Sequence, residues 1–299
     1  MPLGIRPIID LAFKRTFGTE ENKIALISLL NAILELAPPI VDLTLLNPYN
    51  LQDFENDKLS VVDVRAVDQS GALYDIEMQL EILLGQVQRL VYYSCELYAG
   101  QLKKGDKYFQ IRPIYTICLT NQILWKDGRQ GHHAFRLTDR DSSRVLDGTL
   151  EVHTIELPRY TLITEGDLQT ASPLECWLYW LLHAQEYEPD DLLQLLPQAA
   201  MQQATRTIIR IAQKTEDKAM YDSREKAIRD REWAMSAARL EGEIEGEARG
   251  RIEGKMELIR TLQEILNLPV DDEDTLRAMQ LEQLESLTNR LQERLRKRT

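Results

Sequence analysis

The sequence has 299 residues and a net charge of −12, with 43% hydrophobic and 28% charged residues. These values are typical of a globular protein with a buried core, and they exclude a low-complexity or collagen-like chain. The acidic balance argues against nucleic-acid binding by bulk electrostatics, because phosphate contacts need lysine and arginine. The composition is still compatible with nucleic-acid binding by a local basic patch.

Neither a membrane segment nor a disulfide framework is indicated by the sequence. The longest apolar stretches fall well short of the roughly 20 residues of a membrane span, and the N-terminus lacks the layout of a secretion signal. We therefore expect a cytoplasmic protein. The three cysteines, Cys95, Cys118 and Cys176, are odd in number and widely spaced, which indicates buried free thiols rather than disulfides or a zinc site.

Hydrophobic periodicity and turn residues predict alternating helices and strands over the first 160 residues. An amphipathic helix is expected at 20–36, where Pro38 and Pro39 follow its end. A buried strand is expected at 112–119, because that segment is rich in β-branched and aromatic residues. The other predicted elements are strands at 40–46, 59–68, 72–80, 133–137 and 150–157, a helix at 83–104 ending beside Gly105, and helices from residue 168 onward.

The C-terminal tail combines two regular stripes. Glycine recurs every four residues from Gly242 to Gly254, beside an apolar stripe that runs from Leu240 to Met256. Four glycines in a helix cost on the order of 1 kcal/mol each relative to alanine, so either the helix is marginal or the glycines allow another helix to approach closely. A final amphipathic helix is expected over 276–295, with its own domain or a second chain as its partner.

The two strands over 59–80 form the most informative stretch. Gln69-Ser70-Gly71 is typical of a three-residue hairpin loop, with glycine at the position that takes a left-handed conformation. Pairing around Ser70 places one set of side chains on a single face, because side chains alternate along a strand. The opposed pairs on that face are Val67 with Leu73, Arg65 with Asp75, Asp63 with Glu77, and Val61 with Gln79.

Asp63 and Glu77 are thus predicted side by side, with Cβ atoms about 5 Å apart. Like charges directly opposite each other destabilise a sheet, so the pair calls for a compensating cation. Two carboxylates, with the amide oxygen of Gln79 two residues along, are the hard oxygen ligands that Mg²⁺ or Mn²⁺ prefers. The alternative on spacing alone is a solvent-exposed strand face that Arg65 and Lys58 neutralise.

The order of helix, three strands, helix and strand over residues 20–119 resembles the αβββαβ core of the PD-(D/E)XK nucleases. Four short motifs narrow the resemblance to the recombination-promoting nuclease (Rpn) family, also described as PD-(D/E)XK nuclease family transposases. They are DLAFKRTFG at 10–18, LLNAIL at 29–34, DIEMQ at 75–79 and RLVYY at 89–93. The resemblance covers about residues 5–160. It implies an α/β, restriction-endonuclease-like core with a mixed sheet flanked by helices, followed by an α-helical C-terminal region.

This resemblance implies hydrolysis of DNA phosphodiester bonds with Mg²⁺ or Mn²⁺ as cofactor. Asp63 and Glu77 correspond to the metal-binding acids of the second and third strands, and Asp10 matches a further family acid that would add a ligand. Gln79 stands where most of the superfamily has lysine, as it does in the Rpn-like branch, and would orient the attacking water. Contacts with the DNA backbone are expected from four residues, with ordinary helix surface as the alternative: Arg89, Tyr93, Lys103 and Lys104.

Three functions therefore compete. The first is a metal-dependent DNA endonuclease with recombination-promoting or transposase-like activity. The second is a DNA-binding or regulatory protein with weak catalysis, which the neutral Gln79 favours. The third is an oligomeric scaffold built on the helical tail, where amphipathic stripes indicate self-association as a dimer. We expect a nuclease-like domain at 1–165, a helical extension at 166–235, and the glycine-periodic tail with the last helix at 236–299.

Overall fold

A computed structural model describes residues 1–47, 62–82, 84–146 and 148–297, and for Val62 and Asp63 it describes the backbone alone. The predicted strand start at 59–61 and the helix start at Leu83 lie outside these residues. The described helices are α1 (Asp10–Phe17), α2 (Lys23–Leu34), α3 (Gln86–Gly100), α4 (Pro173–His183), α5 (Pro189–Leu195), α6 (Ala199–Gln213), α7 (Thr215–Ile265), α8 (Glu273–Arg277) and α9 (Leu281–Arg296). The described strands are β1 (Leu43–Leu45), β2 (Val62–Asp68), β3 (Leu73–Gln79), β4 (Ile114–Thr120), β5 (His132–Arg136) and β6 (Leu150–Glu156).

Two helix ends differ from the predicted ones. The helix expected at 20–36 begins with a 3₁₀ turn at residues 20–22 and ends at Leu34, because Glu35 takes a left-handed conformation with φ 49°. The helix expected at 83–104 ends at Gly100. The chain turns away there because the Gln101 side chain bonds both backbone groups of Arg112.

Helix α1 has no counterpart among the predicted elements. It is only eight residues long, and Ile9 ahead of it supplies no capping hydrogen bond, so its sequence lacks a start signal. Tertiary packing stabilises it instead, since most of its side chains are buried. None of the described helices is both long enough and apolar enough to cross a membrane.

The strands form one mixed sheet in the order β1-β2-β3-β4-β6-β5. Strands β2 and β3 make the predicted antiparallel hairpin, while β3, β4 and β6 run parallel to one another. Antiparallel β1 and β5 occupy the two edges. The predicted α/β fold class, with a mixed sheet flanked by helices and a helical C-terminal region, is confirmed.

Helices pack on both faces of the sheet. Helix α1 packs against β2, on the face that carries Val64. Helix α3 packs against β4 and β6 on the other face, where Ser94 Oγ lies within hydrogen-bond distance, 2.8 Å, of Thr116 Oγ1. Because Thr116 is the neighbour of Asp75 in the sheet register, α3 covers the face that carries Asp75 and Glu77.

The helices after residue 170 are joined to α1 and α2 by specific contacts. The Trp177 ring of α4 packs edge-on against Phe17, with ring centres 5.5 Å apart. Its Nε1 donates a 3.1 Å hydrogen bond to Ser28 Oγ of α2. Arg15 of α1 donates to both carboxylate oxygens of Asp217, at the start of α7. These contacts make the helical layer part of the same core as the nuclease-like segment.

The chain divides into two compact units, residues 1–225 and 226–299. In the second unit, the end of α7 packs against α8 and α9, so the last amphipathic helix has a partner within its own unit. Leu276, expected in that helix, lies in the separate short helix α8. The buried cluster of this unit consists of Met256, Ile259, Leu262, Leu266, Leu276, Leu284 and Leu291.

The glycine stripe lies inside the continuous helix α7. A Cβ added at Gly242, Gly246, Gly250 or Gly254 would meet no atom within 4 Å among the described residues. Within the described chain, therefore, no second helix uses the close approach that these glycines permit.

Two of the three cysteines are buried free thiols, as predicted. Cys118 lies on β4 and Cys176 on α4. Cys95 is exposed, which corrects the prediction for this residue. It follows the buried Ser94 on α3 and therefore points away from the sheet.

Candidate metal and catalytic site

The loop of the central hairpin fixes the register of β2 and β3. Gly71 has φ 88°, a conformation that glycine adopts without steric cost, and its N–H donates to the Asp68 backbone oxygen over 3.0 Å. Asp68 Oδ1 accepts further hydrogen bonds from the N–H groups of Ser70 and Ala72. The predicted pairs of Val67 with Leu73, Arg65 with Asp75, and Asp63 with Glu77 are confirmed, while the Val61–Gln79 pair lies outside the described residues.

Glu77 is a buried carboxylate, 2% exposed, at the level of Asp63 on the adjacent strand. Gln79 Nε2 donates a 3.0 Å hydrogen bond to Glu77 Oε2, which fixes the direction of the carboxylate. The alternative of a solvent-exposed strand face is wrong for Glu77, because its side chain is buried. Lys58, the other part of that alternative, lies outside the described residues.

Arg65 and Asp75 form the predicted cross-strand pair. Arg65 Nε donates to Asp75 Oδ1 over 3.2 Å, and Asp75 is fully buried. The Arg65 side chain is 37% exposed, so solvent screens part of the attraction between the two charges. We assign this pair a structural role in holding β2 against β3.

The N-terminal half of α3 lies on the face of the sheet that carries Glu77. Cys118 is the neighbour of Glu77 in the sheet register. Burial raises the pKa of the Cys118 thiol, and the negative charge of Glu77 raises it further. The positive charge of Arg89 lowers it. Glu77 and Arg89 are therefore both close enough to Cys118 to affect its ionisation. The Arg89 guanidinium lies 5.4 Å from the centre of the Tyr93 ring, a cation–π contact. The structure thus brings Arg89 and Tyr93 to the same side of the sheet as Glu77.

Gln86, the first residue of α3, was not predicted as a site residue. It is 3% exposed, and among the described residues neither polar atom of its amide has a hydrogen-bond partner. A buried polar group without a partner costs about 1–3 kcal/mol, which makes it a candidate for contact with a substrate. Gln86 precedes the buried residues Leu90 and Ser94 by four and eight positions. This spacing places all three on one side of the helix, so the sequence pattern could have predicted that Gln86 is buried.

Asp10, the predicted further ligand, is the first residue of α1 and is 8% exposed. Its Oδ2 lies 3.8 Å from Arg224 Nη1, and its Oδ1 accepts a hydrogen bond from the Leu11 N–H over 2.7 Å. Burial raises the pKa of Asp10 in spite of these two contacts. The contact with Arg224 joins Asp10 to α7, and the contact with Leu11 lies within α1. The role of Asp10 as a metal ligand stays a prediction.

Lys103 and Lys104 are exposed in the loop that follows α3. Helix α3 has 15 residues, so it separates this loop from Arg89 by most of a helix about 22 Å long. The four predicted DNA-binding residues therefore do not form one cluster. Arg89 and Tyr93 lie in α3, on the face of the sheet that carries Glu77, and the two lysines lie beyond the far end of the helix.

Glu156 is a fully buried acid at the end of β6. Its Oε1 accepts hydrogen bonds from the N–H groups of Leu124 and Trp125, both 2.7 Å long, and its Oε2 accepts one from Arg159 Nε over 2.9 Å. Protein donors thus surround both oxygens. We assign Glu156 to holding the loop after β4 rather than to a metal.

The pairing of His132 with His153 was not predicted from the sequence. His132 Nε2 and His153 Nδ1 lie 2.9 Å apart on the neighbouring strands β5 and β6. Burial lowers the pKa of His153 to about 4, and that of His132 is lowered for the same reason. The two are 21 residues apart in sequence, so only the strand pairing brings them together.

The donor chemistry of the hairpin fits a divalent cation. Asp63 and Glu77 offer carboxylate oxygens from adjacent strands, and Gln79 offers an amide oxygen, all of which are hard ligands of the kind that Mg²⁺ prefers. Among the described residues there is no group of three or more His, Cys, Asp or Glu side chains placed to hold a metal. The Asp63 side chain is not part of that description, so the fit rests on the strand register and on the ligand types.

Comparison with known proteins identifies the family of the chain. No curated protein and no solved structure gives a significant match. A family model described as "PD-(D/E)XK nuclease family transposase" matches residues 7–238, which is more than three quarters of the chain. It covers the whole sheet and extends through α6 into α7, farther than the motif resemblance at 5–160. The chain therefore belongs to the PD-(D/E)XK nuclease family transposases.

Proposed function

We propose that this protein is a metal-dependent endonuclease that hydrolyses phosphodiester bonds in DNA, with recombination-promoting activity. Membership of a nuclease family supports the reaction class. The observation that carries the proposal is the pairing of Asp63 directly opposite Glu77 on adjacent strands, with Glu77 buried and its carboxylate oriented by Gln79. Two acids held together in a sheet, at a cost in stability, favour a site for a cation.

Asp63 and Glu77 would hold Mg²⁺ or Mn²⁺ through their carboxylate oxygens. The bound cation supplies positive charge that lowers the pKa of water and stabilises negative charge on the phosphate. Gln79 donates to Glu77 and so positions that carboxylate, and its amide oxygen would be available to orient the attacking water. An amide carries no charge at neutral pH, so Gln79 contributes hydrogen bonds where lysine would add a cation.

Arg89 and Tyr93 would bind the DNA backbone beside this site. They lie four residues apart on α3, on the face of the sheet that carries Glu77, and the cation–π contact with the Tyr93 ring limits the motion of the Arg89 guanidinium. Arginine binds phosphate oxygens through two parallel N–H groups, which suits a phosphate held at a fixed distance from the acids.

The cytoplasmic location of the protein stays a prediction from the sequence.

Cleavage of supercoiled plasmid tests the proposal. We expect nicking or linearisation with Mg²⁺ or Mn²⁺, none with EDTA, and none for Asp63→Asn or Glu77→Gln. Glu96→Gln is the matched control, because Glu96 is an exposed acid on α3, and it should cut like wild type. If folded wild-type protein fails to cut with every divalent metal tested, the proposal is overturned in favour of a DNA-binding or regulatory protein, which the neutral Gln79 favours.

We also infer that the protein forms dimers through α7. Trp233, Leu240 and Ile244 share one face of this helix and are between 57% and 75% exposed, and the glycine stripe on the other side of the helix leaves open space at each Cβ position. Exposed apolar stripes on a long helix are buried against a partner helix, and a second copy offers the same stripe.

Light scattering on the full-length chain tests this inference. Leu240→Glu with Ile244→Glu should lower the mass from that of a dimer to that of one chain, because two charges enter the apolar stripe. Glu243→Gln, on the polar side of the same helix, is the control. An unchanged dimer mass for the double variant, or a monomeric wild type, would contradict dimerisation through α7.

A further inference from the structure

The loop between α3 and β4 displays two aromatic rings among lysines. Tyr108 is 85% exposed and Phe109 is 81% exposed. The segment 101–112 carries four basic residues and one acidic residue in a chain whose net charge is −12. We name as the aromatic loop the residues Lys103, Lys104, Lys107, Tyr108 and Phe109.

Hydrogen bonds within the segment hold the backbone of the aromatic loop. At its base, Gln101 Nε2 donates to the Arg112 backbone oxygen over 3.0 Å, and the Arg112 N–H donates to Gln101 Oε1 over 2.9 Å. At its tip, the Lys103 N–H donates to Asp106 Oδ2 over 2.7 Å, and the Lys107 N–H donates to Gln110 Oε1 over 2.7 Å. A backbone fixed in this way presents the rings with little entropy left to lose on binding.

We propose that the aromatic loop binds unpaired bases of the DNA substrate, an inference that rests on the proposed nuclease function. Base rings stack on exposed aromatic side chains, and lysines neutralise the neighbouring phosphates. The positive charge of the segment complements a polyanion, whereas the rest of the chain is acidic. The two adjacent rings favour single-stranded nucleic acid over a membrane surface or an acidic peptide, because only the nucleic acid offers flat rings to stack.

The loop lies at a defined distance from the acids. The part of α3 between Arg89 and its end at Gly100 is about 17 Å long, at 1.5 Å per residue. Along β4, Arg112 precedes Cys118, the neighbour of Glu77, by six residues, which is about 20 Å in a strand. At 3.4 Å per step, this distance corresponds to about six nucleotides. The substrate class is therefore DNA with an unpaired segment about six nucleotides from the cleaved bond.

Fluorescence anisotropy in EDTA measures binding without cleavage. The probes are a labelled 20-nucleotide thymidine strand and a labelled blunt duplex of 20 base pairs. Tyr108→Leu with Phe109→Leu should weaken strand binding at least about fivefold and leave duplex binding unchanged, because leucine keeps apolar area but cannot stack. The swap Tyr108→Phe with Phe109→Tyr keeps both rings and should bind like wild type.

The lysines give a second readout. Lys103→Gln, Lys104→Gln and Lys107→Gln together should lower the slope of log affinity against log salt by about 2 for the single strand. Strand binding by the double leucine variant that equals wild type would overturn the proposal. The proposal would also be overturned if the double leucine variant bound the DNA strand normally but no longer bound phosphatidylserine vesicles. That result would indicate that the aromatic loop binds a membrane surface.

Plasmid cleavage in the same preparations separates this inference from the nuclease proposal. Wild-type cleavage that Glu77→Gln abolishes, with no effect of the leucine variant on strand binding, rejects the aromatic loop and keeps the nuclease. Loss of strand binding in the leucine variant, with no cleavage by wild type, supports the loop as a DNA-binding surface and rejects the nuclease.

Discussion

Glu156→Gln separates a structural acid from the acids assigned to the metal. Glu156 is fully buried and accepts three hydrogen bonds, from the backbone of Leu124 and Trp125 and from Arg159 Nε. Glutamine can still accept the two backbone bonds through its amide oxygen, but its NH₂ group then faces the Arg159 donor. The substitution also removes the negative charge opposite a guanidinium whose side chain is only 17% exposed.

We expect Glu156→Gln to lower the free energy of unfolding by about 3 kcal/mol, at the lower end of the range for breaking a buried ion pair. With an m-value of about 3 kcal/mol/M, the urea midpoint should fall by about 1 M. Glu96→Gln, at an exposed position on α3, should leave the midpoint unchanged. Under conditions where it stays folded, Glu156→Gln should keep metal-dependent cleavage. A stability loss below about 1 kcal/mol, or loss of cleavage in the folded variant, would refute the structural assignment.

Three further predictions concern other buried groups. Burial lowers the pKa of His153 to about 4, so its contribution to stability is present above about pH 6.5 and is lost as the pH falls toward 4, by up to roughly 3 kcal/mol. In His153→Asn, urea midpoints at pH 7 and pH 4.5 should differ less than in wild type, and an unchanged difference would be contrary to this reasoning. Burial raises the pKa of Asp10, so the folded protein loses stability as the pH rises through that raised pKa. The Asp10→Asn variant should therefore lose less stability than wild type between pH 4 and pH 7. A variant that is less stable at pH 7 would show that the Arg224 contact outweighs the burial. Leu284→Ala in the buried C-terminal cluster should cost about 2–5 kcal/mol, seen as faster hydrogen exchange in α9, with Ile265→Ala, at an exposed position near the end of α7, as its control.

The hairpin was predictable from the sequence because its determinants are local. Gln69-Ser70-Gly71 fixes the loop, and alternation along the two strands then places Asp63 opposite Glu77 without reference to the rest of the chain. The family motifs added the strand order of the core. Both signals depend on residues that are close together in sequence.

The features that escaped prediction depend on contacts between distant segments. The position of α3 on the face of the sheet that carries Glu77 requires the crossover from β3 to β4, and the His132–His153 pair requires β5 to return beside β6. Helix α1 is short and has no capping side chain, so packing rather than propensity stabilises it. The end of α3 at Gly100 was missed because Gln101 and Arg112 meet only in the folded loop.

Binding of Mn²⁺ measured by electron paramagnetic resonance, without DNA, tests the central claim most directly. If Asp63 and Glu77 hold the metal, the wild-type protein should bind Mn²⁺, Mg²⁺ should compete for the same site, and Asp63→Asn and Glu77→Gln should each abolish that binding while Glu96→Gln retains it. Equal Mn²⁺ binding by wild type and both hairpin variants, all folded, would contradict the account, because the metal would then be held elsewhere.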